Sequence, residues 1–312
     1  TSTHDTKWSA DARVRLALLA ELAPEWSALV DRLSSLAARH QSDLVDKSSE
    51  LLLYHALVAC APASAERVVA YLHKAAREAK LITSWAAPNE PYESALASFA
   101  RALLADPRWH EITAPFFAQL VPHARTTSLA LALLQLTSPG VPDIYQGCDL
   151  FCDAFVDPDN RRPVDFARRA SLLRDGDGAL ARFRDDVDGA AKQALIRAAL
   201  AVRAHRPASF APGAAYTPLL PTGAQRAHAI AYQRGDDVIA IAPRLVVGLA
   251  RAGGFGDTRL ALPPGTWRNA LASSSSSSPS SPSSHASSVL LASLWASAPV
   301  ALLVRDDARG DR

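Results

Sequence analysis

The chain has 312 residues, 49% of them hydrophobic and 21% charged, which is typical of a globular protein with one large or two smaller hydrophobic cores. Lysine and arginine (33) nearly balance aspartate and glutamate (31), and the resulting net charge of +2 argues against a nucleic-acid-binding surface. No apolar run reaches the about 18 residues that a membrane-spanning helix needs, and the N-terminus lacks the features of a signal peptide.

The cysteine and methionine content indicates where the protein is located and whether the sequence is a fragment. Cys60, Cys148 and Cys152 are predicted to be free thiols, because no further cysteine or histidine pair completes a metal-binding set. Free thiols suit a reducing compartment, so we expect a cytoplasmic protein. The sequence contains no methionine, which favours a fragment whose front half is missing; a processed chain or a biased composition is the alternative.

Apolar residues spaced three or four apart predict that the first two-thirds of the chain is helical. Residues 9–38 form one amphipathic pattern, with Ser9 as the N-cap and a kink or split near Pro24. Further helices are predicted at residues 43–61, 64–80, 91–105 and 112–136, the last of them interrupted near Pro115 and Pro122.

Prolines and glycines then enclose a very short apolar stretch at residues 137–147. A helix, a turn, a short buried strand at residues 141–145 and a glycine exit are the parts of one step in an α/β barrel. No catalytic group is assigned to this stretch. A loop rich in Asp, Asn, Pro and Arg follows at residues 148–163, before helices at 164–173 and 190–204.

After Pro207 the pattern changes to short strands. A hairpin around a Gly-Asp-Asp turn is predicted at residues 229–242, with further strands at 259–262, 265–269 and 299–304. They form a small, mainly antiparallel β domain, so we divide the chain into residues 1–207 and 208–312. The serine-rich stretch at residues 273–288 is predicted to be a disordered loop between strands, with a phosphoserine tract as the alternative.

Two segments carry side chains suited to chemistry. Thr3-His4-Asp5-Thr6-Lys7 places a carboxylate beside a histidine and a lysine, which suits the binding of sugar hydroxyls; on composition alone, a solvated terminus is the simpler explanation. The second segment, residues 156–163, holds Asp159, Asn160, Arg161 and Arg162 between two prolines. Arginine forks suit hydroxyl and carboxylate partners, and a salt-bridged surface turn is the alternative.

Together and in this order, the segments resemble the maltooligosyltrehalose synthases of the α-amylase superfamily (glycoside hydrolase family 13). The family pattern Thr-His-Asp-Thr-Lys-Arg-Ser-Glu-Asp-Val-Arg corresponds to residues 3–13, and residues 136–147 and 156–165 match the family more closely. Residues 83–93 also resemble it, so the similarity runs from residue 1 to about residue 245. The sequence departs from the pattern at Trp8, at Ala10 and at residues 148–151.

The resemblance implies an α/β fold: the C-terminal part of a (β/α)₈ barrel with a large helical insertion, followed by a small antiparallel β domain. His4 and Asp5 would follow the seventh strand at the active-site end of the barrel, and residues 141–145 would form the eighth strand. Strands one to six would precede this chain.

The family converts the reducing-end α-1,4 linkage of a maltooligosaccharide into an α,α-1,1 linkage, an isomerisation by intramolecular transglycosylation in trehalose biosynthesis. This retaining reaction needs a nucleophilic carboxylate and an acid/base carboxyl group, which the resemblance places before this chain. Asp5 would be the third carboxylate, which stabilises the transition state, and His4, Lys7, Asp159, Asn160, Arg161 and Arg162 would contact the sugar. Neither a metal nor an organic cofactor is implied.

We therefore expect a maltooligosaccharide or another α-1,4-glucan as substrate, the missing N-terminal barrel half as partner, and no activity from the isolated chain. Neither nucleic acid nor membrane is an expected partner. Two alternatives stay open. One is a related amylase-type trehalohydrolase that releases free trehalose, against which residues 3–7 argue. The other is a non-catalytic module that binds glucan.

Overall fold

The computed structural model describes residues 3, 5–174, 179–180, 183, 186, 188–272, 287–296 and 298–306. It divides into two compact units. The helical unit comprises Ser2–Ala124 and Cys152–Pro163, and the sheet unit comprises Arg125–Phe151 and Val164–Arg312. These units follow packing and not chain order, so the division at residue 207 stays a prediction. Within the described residues, no helix is both long and apolar enough to cross a membrane.

Among its described residues, the helical unit contains five α-helices and the first part of a sixth. Three pairs pack closely: α1 with α3, α3 with α4, and α4 with α5. The predicted split near Pro24 occurs at residues 19–22, and the proline lies in the first turn of the next helix, where its missing N–H costs nothing. The helices are α1 (Ala10–Leu18), α2 (Ala23–Ala37), α3 (Lys47–Cys60), α4 (Ala65–Ala79), α5 (Glu90–Ala105) and α6 (Pro107–Thr137).

Side-chain caps explain where several of these helices begin. Ser9, Asp46, Ser64 and Asn89 each accept a hydrogen bond from a backbone N–H in the first turn of α1, α3, α4 and α5. The cap at Ser9 confirms the sequence-based prediction.

Helix α6 runs unbroken through Pro115 and Pro122, so the predicted interruption is wrong. Each proline removes one backbone hydrogen bond, at a cost of about 3 kcal/mol. Burial of apolar side chains along the helix offsets that cost: Leu120 is buried in the helical unit, and Leu129 and Leu133 are buried in the sheet unit.

The sheet unit contains a five-stranded antiparallel sheet in the order β1-β2-β3-β7-β5 and a two-stranded ladder of β4 and β6. The predicted hairpin is present: Arg234 of β2 pairs with Val238 of β3, and Gly235 in the turn has a φ of 53°, which favours glycine. The strands are β1 (Tyr216–Pro218), β2 (Ala229–Arg234), β3 (Val238–Pro243), β4 (Arg259–Ala261), β5 (Trp267–Asn269), β6 (Ser288–Leu290) and β7 (Ala301–Arg305).

Both faces of the large sheet are buried, because successive side chains of a strand point to opposite faces. In β3, Val238 and Ala240 belong to one apolar core with residues of α6 and α8 (Ala190–His205). Ile239 and Ile241 belong to a second core with residues of β4, β6 and α11 (Leu291–Trp295). The remaining helices of this unit are α7 (Phe166–Arg174), α9 (Pro207–Phe210) and α10 (Val246–Arg251).

The predicted buried strand at residues 141–145 is not formed. None of these five residues belongs to a strand, and Val141 is 92% exposed. A parallel strand needs neighbours that satisfy its N–H and C=O groups, whereas every strand pairing among the described residues is antiparallel. Of the serine-rich stretch, residues 273–286 lie outside the described residues, and Ser288 begins β6.

Candidate functional site

A polar segment of the helical unit, residues 152–163, is attached to the first turn of α1. The N–H of Ser9 donates to the C=O of Ala154 at 2.9 Å, and the N–H of Ala154 donates to Ser9 Oγ at 3.1 Å. The Ser9 hydroxyl also donates to the C=O of Cys152. The Asp11 carboxylate accepts from the N–H of Cys152 at 2.8 Å. One helix start therefore caps itself and fixes the beginning of the segment.

Arg67 of α4 holds the middle of the same segment. Its Nε and Nη2 donate to Oδ1 and Oδ2 of Asp159 at 2.7 and 2.9 Å, and the N–H of Phe155 donates to Oδ2 at 2.9 Å. Burial acts to raise the pKa of Asp159, but the hydrogen bonds from Arg67 and Phe155 outweigh it, so this pKa lies below its ordinary value. Asp159 is therefore ionised at neutral pH.

The remaining charges of the segment are also paired. Lys74 Nζ donates to the C=O of Asp157 at 2.6 Å and lies 3.8 Å from its carboxylate. Arg161 Nε is 2.6 Å from Asp157 Oδ1, and Arg162 Nε is 3.3 Å from Asp159 Oδ1. Asp157 and Asp159 thus each meet two cationic side chains.

A cleft of about 530 Å³ lies against α4 and residues 155–162. Tyr71 and Phe155 form an aromatic wall, with stacked rings whose centroids are 4.8 Å apart. The polar groups around it are held in place by the pairs described above. Fixed polar groups on largely apolar walls, in a volume of this size, are typical of sites for small molecules.

Trp85 lines the same cleft and is its most exposed aromatic side chain, at 58%. The guanidinium carbon of Arg77 lies 4.8 Å from the centroid of its ring. Arg77 donates through Nε and Nη2 to the two carboxylate oxygens of Glu93 at 2.8 and 2.6 Å, and the Thr83 hydroxyl donates to Glu93 at 2.6 Å. The Arg77 hydrogen bonds, above all, lower the pKa of Glu93 to about 2, so the support beneath Trp85 stays charged.

The N-terminal segment forms a small polar turn. The N–H of Thr3 donates to Thr6 Oγ1 at 2.8 Å, and the N–H of Asp5 donates to Thr3 Oγ1 at 3.3 Å. Asp5 is exposed. His4, which the sequence pairs with Asp5, lies outside the described residues.

Two contacts connect this turn with the rest of the site. Asn160 Nδ2 donates to the C=O of Thr3 at 3.5 Å. Lys7 Nζ donates to Glu78 of α4 at 2.7 Å, and Lys74 lies 3.7 Å from the same carboxylate. The turn therefore adjoins the 159–162 loop, but neither Asp5 nor Lys7 is among the residues that line the cleft.

The chain is similar to proteins of one kind. No family model matches the sequence. A protein of Mycobacterium tuberculosis (strain H37Rv) that carries the name maltooligosyl trehalose synthase is 36% identical over 98% of this chain. The solved structure of maltooligosyltrehalose synthase from Arthrobacter ramosus is 37% identical, with a TM-score of 0.86 over 98% of the chain. The chain matches the C-terminal portion of the maltooligosyltrehalose synthases.

The coverage of the relatives is partial. The chain spans 37% of the length of the M. tuberculosis protein and 38% of the A. ramosus synthase. A crystal structure of a Sulfolobus tokodaii protein, described as a hypothetical maltooligosyl trehalose synthase, is 25% identical, with a TM-score of 0.74 and the same 38% coverage. The fold of the chain, helices with antiparallel sheets, is thus shared with these structures.

The structure brings only some of the predicted site residues onto one surface. Asp159 and Arg162 line the cleft. Asn160 and Arg161 belong to the same short 3₁₀ turn as Asp159, but neither lines the cleft. Asp5 lies on the adjoining N-terminal turn.

Sequence reasoning missed the α4 side of the cleft. Arg67, Tyr71 and Lys74 are spaced four and three residues apart, so they share one face of the helix. That spacing was visible in the sequence, and a cationic-aromatic stripe on a predicted helix is the signal that could have identified it.

Trp8 takes part in the aromatic packing behind the cleft. Its backbone has a φ of 65°, and its ring meets Tyr71 edge-on at 5.3 Å and Phe155 at 6.2 Å. The Trp8 side chain therefore supports the aromatic wall of the cleft.

Proposed function

We propose that the chain is the portion of a maltooligosyltrehalose synthase that supplies the third carboxylate and part of the glucan-binding rim. The observation that carries the proposal is the match to synthases over 98% of the chain at 36–37% identity. In this proposal the protein belongs to glycoside hydrolase family 13. Residues 1–207 contribute the end of a (β/α)₈ barrel and its helical insertion, and residues 208–312 form the C-terminal β domain.

The proposed reaction is the isomerisation of a maltooligosaccharide, in which the terminal reducing glucose is transferred from an α-1,4 to an α,α-1,1 linkage. Retention of configuration calls for two carboxyl groups, a nucleophile and an acid/base. We assign both to residues outside these 312. Asp5 then stabilises the positive charge that develops on the sugar ring, His4 binds hydroxyls of the same sugar, and Lys7 reaches the acceptor glucose.

The residues of the 159–162 loop take different parts in the proposal. Both carboxylate oxygens of Asp159 already accept hydrogen bonds from Arg67, so we assign Asp159 to positioning the loop. Arg161 and Arg162 are each half exposed and keep N–H donors for sugar hydroxyls. Asn160 connects the loop to the N-terminal turn.

The proposal requires a partner that carries the rest of the barrel. It also places the protein in the cytoplasm, which is supported by three cysteines that form no disulfide. No cofactor enters the reaction. Among the described residues, no cluster of three or more His, Cys, Asp and Glu side chains is arranged to hold a metal ion.

The test is an assay of the purified chain with maltohexaose, alone and together with the N-terminal portion of the A. ramosus synthase. We expect no turnover by the chain alone, and loss of reducing ends without free trehalose when the two portions are combined. Release of free trehalose would indicate a trehalohydrolase instead. Turnover by the chain alone contradicts the assignment of the nucleophile and acid/base to other residues.

A further inference from the structure

We infer that Trp85 is a stacking platform for a pyranose ring of the glucan, and that the α4 cleft is a sugar-binding subsite whose orientation Arg77 sets. The inference rests on the proposed glucan substrate. It adds a residue and a surface that neither the sequence motifs nor the similarity to the synthases assigns.

The charge balance of the cleft indicates the class of ligand. Arg67 and Arg162 both contact Asp159, Lys74 contacts Asp157, and Arg77 contacts Glu93. Glu66 also lines the cleft, so these four cations are matched by four carboxylates. A phosphate or carboxylate ligand needs cations whose charge is not already neutralised. A neutral ligand with many hydroxyls needs only the remaining donor and acceptor capacity of such pairs, and this favours a sugar.

The aromatic groups indicate how that sugar is held. Tyr71 is 8% exposed and Phe155 is fully buried, so the aromatic wall that they form is largely covered, whereas Trp85 is 58% exposed. An exposed indole on a cleft wall offers a flat apolar surface of the kind that the C–H face of a pyranose covers. The Arg77 guanidinium already occupies one face of the ring, at 4.8 Å from its centroid.

The support behind Trp85 gives it a fixed orientation before a ligand arrives. Arg77 is held at two points by Glu93, which is 6% exposed, and Thr83 holds the same carboxylate. The ring of His73, which also lines the cleft, donates through Nε2 to the C=O of Glu93 at 2.9 Å. A backbone carbonyl can only accept, so this hydrogen bond requires a proton on Nε2.

The experiment measures binding of maltohexaose to the full chain by calorimetry and by the indole N–H resonances of its six tryptophans. We expect one indole resonance to shift on titration, and that resonance to be the one lost in Trp85→Phe. We expect Trp85→Ala to raise the Kd about tenfold, and Trp85→Phe to stay within about threefold of the unaltered chain. Phe166→Ala, at an exposed aromatic residue that does not line the cleft, is the matched control and should leave the Kd unchanged.

Three results would overturn the inference: no binding by the unaltered chain, equal binding by Trp85→Ala, or a shifted indole other than that of Trp85. Binding of inorganic phosphate with a Kd similar to that of maltohexaose would also contradict a site for a neutral ligand. The synthase assay with the N-terminal portion of the A. ramosus protein tests the proposed function independently of this binding experiment. Turnover there together with an unperturbed Trp85 rejects the platform and leaves the proposed function standing.

Discussion

Arg67 and Asp159 form a two-point ion pair, 2.7 and 2.9 Å long, that ties α4 to a loop 92 residues further along the chain. Removing one partner of a largely buried pair leaves the other charge unpaired. We expect Arg67→Ala to lower the free energy of unfolding by about 3 kcal/mol, measured in urea. Arg67→Lys keeps the charge but loses the two-point contact of the guanidinium group, so we expect it to lower the free energy of unfolding by about 1.5 kcal/mol.

The control for this pair is Arg161, whose side chain is half exposed and pairs with Asp157. Exposed ion pairs contribute at most about 1 kcal/mol, so Arg161→Ala should have a much smaller effect than Arg67→Ala. Equal effects of the two substitutions would mean that the Arg67 pair does not hold the loop.

Ser9 and Ser64 are both N-caps, and comparing them separates capping from loop attachment. Ser64 is exposed and caps α4 alone, so Ser64→Ala should cost about 1 kcal/mol. Ser9 is buried and also binds the backbone of Cys152 and Ala154, so Ser9→Ala should cost about 2 kcal/mol. Urea unfolding measures both; a Ser9 effect no larger than that of Ser64 would show that the backbone contacts contribute nothing.

Local signals predicted most of the elements correctly. The cap at Ser9 and the Gly235 turn act within four residues of chain, so the sequence alone indicates them. The continuity of α6 through Pro115 and Pro122 depends on burial along the helix, which no local rule supplies. At residues 141–145 the local pattern predicted a strand that the structure lacks, because an apolar stretch without neighbouring strands does not form one.

The candidate site was harder to predict than the fold. Asp159 and Arg162 were found because they lie in one motif, whereas their partner Arg67 is 92 residues away and carries no motif of its own. Arg77 of α4 pairs with Glu93 of α5 and also contacts Trp85, which lies in the loop between these two helices. Only the packed structure brings such residues together.

Asp5 tests the proposed chemistry directly. If it stabilises the transition state, Asp5→Asn should reduce turnover of maltohexaose about 100-fold or more when the chain is combined with the N-terminal portion of the A. ramosus synthase. The side chain is exposed, so the free energy of unfolding should not change. Asp31→Asn, at an exposed position of α2, is the matched control and should leave turnover unaffected. Full activity of Asp5→Asn would remove Asp5 from the mechanism.

The ion pair between Arg77 and Glu93 predicts a specific dependence of stability on pH. The pKa of Glu93 falls from an ordinary 4.5 to about 2 on folding, chiefly because Arg77 hydrogen-bonds to it. A carboxyl group whose pKa is lowered on folding stabilises the protein fully above its unfolded pKa. That contribution is lost as the pH falls toward the folded pKa. The loss from Glu93 should therefore fall between about pH 4.5 and pH 2.

Glu93→Gln isolates this contribution, because glutamine does not titrate. We expect the variant to be less stable than the unaltered chain at pH 6, and the difference in free energy of unfolding to shrink steadily as the pH falls from about 4.5 toward 2. Glu90→Gln, at an exposed position in the first turn of the same helix, should show a small difference that varies much less over this range. Urea titrations at a series of pH values measure both.

The contradicting outcome is a difference in free energy of unfolding between Glu93→Gln and the unaltered chain that stays constant down to pH 3. It would mean that Glu93 has the same pKa in the folded protein as in the unfolded chain. The hydrogen bonds from Arg77 would then contribute no net stabilisation to the charged form of Glu93.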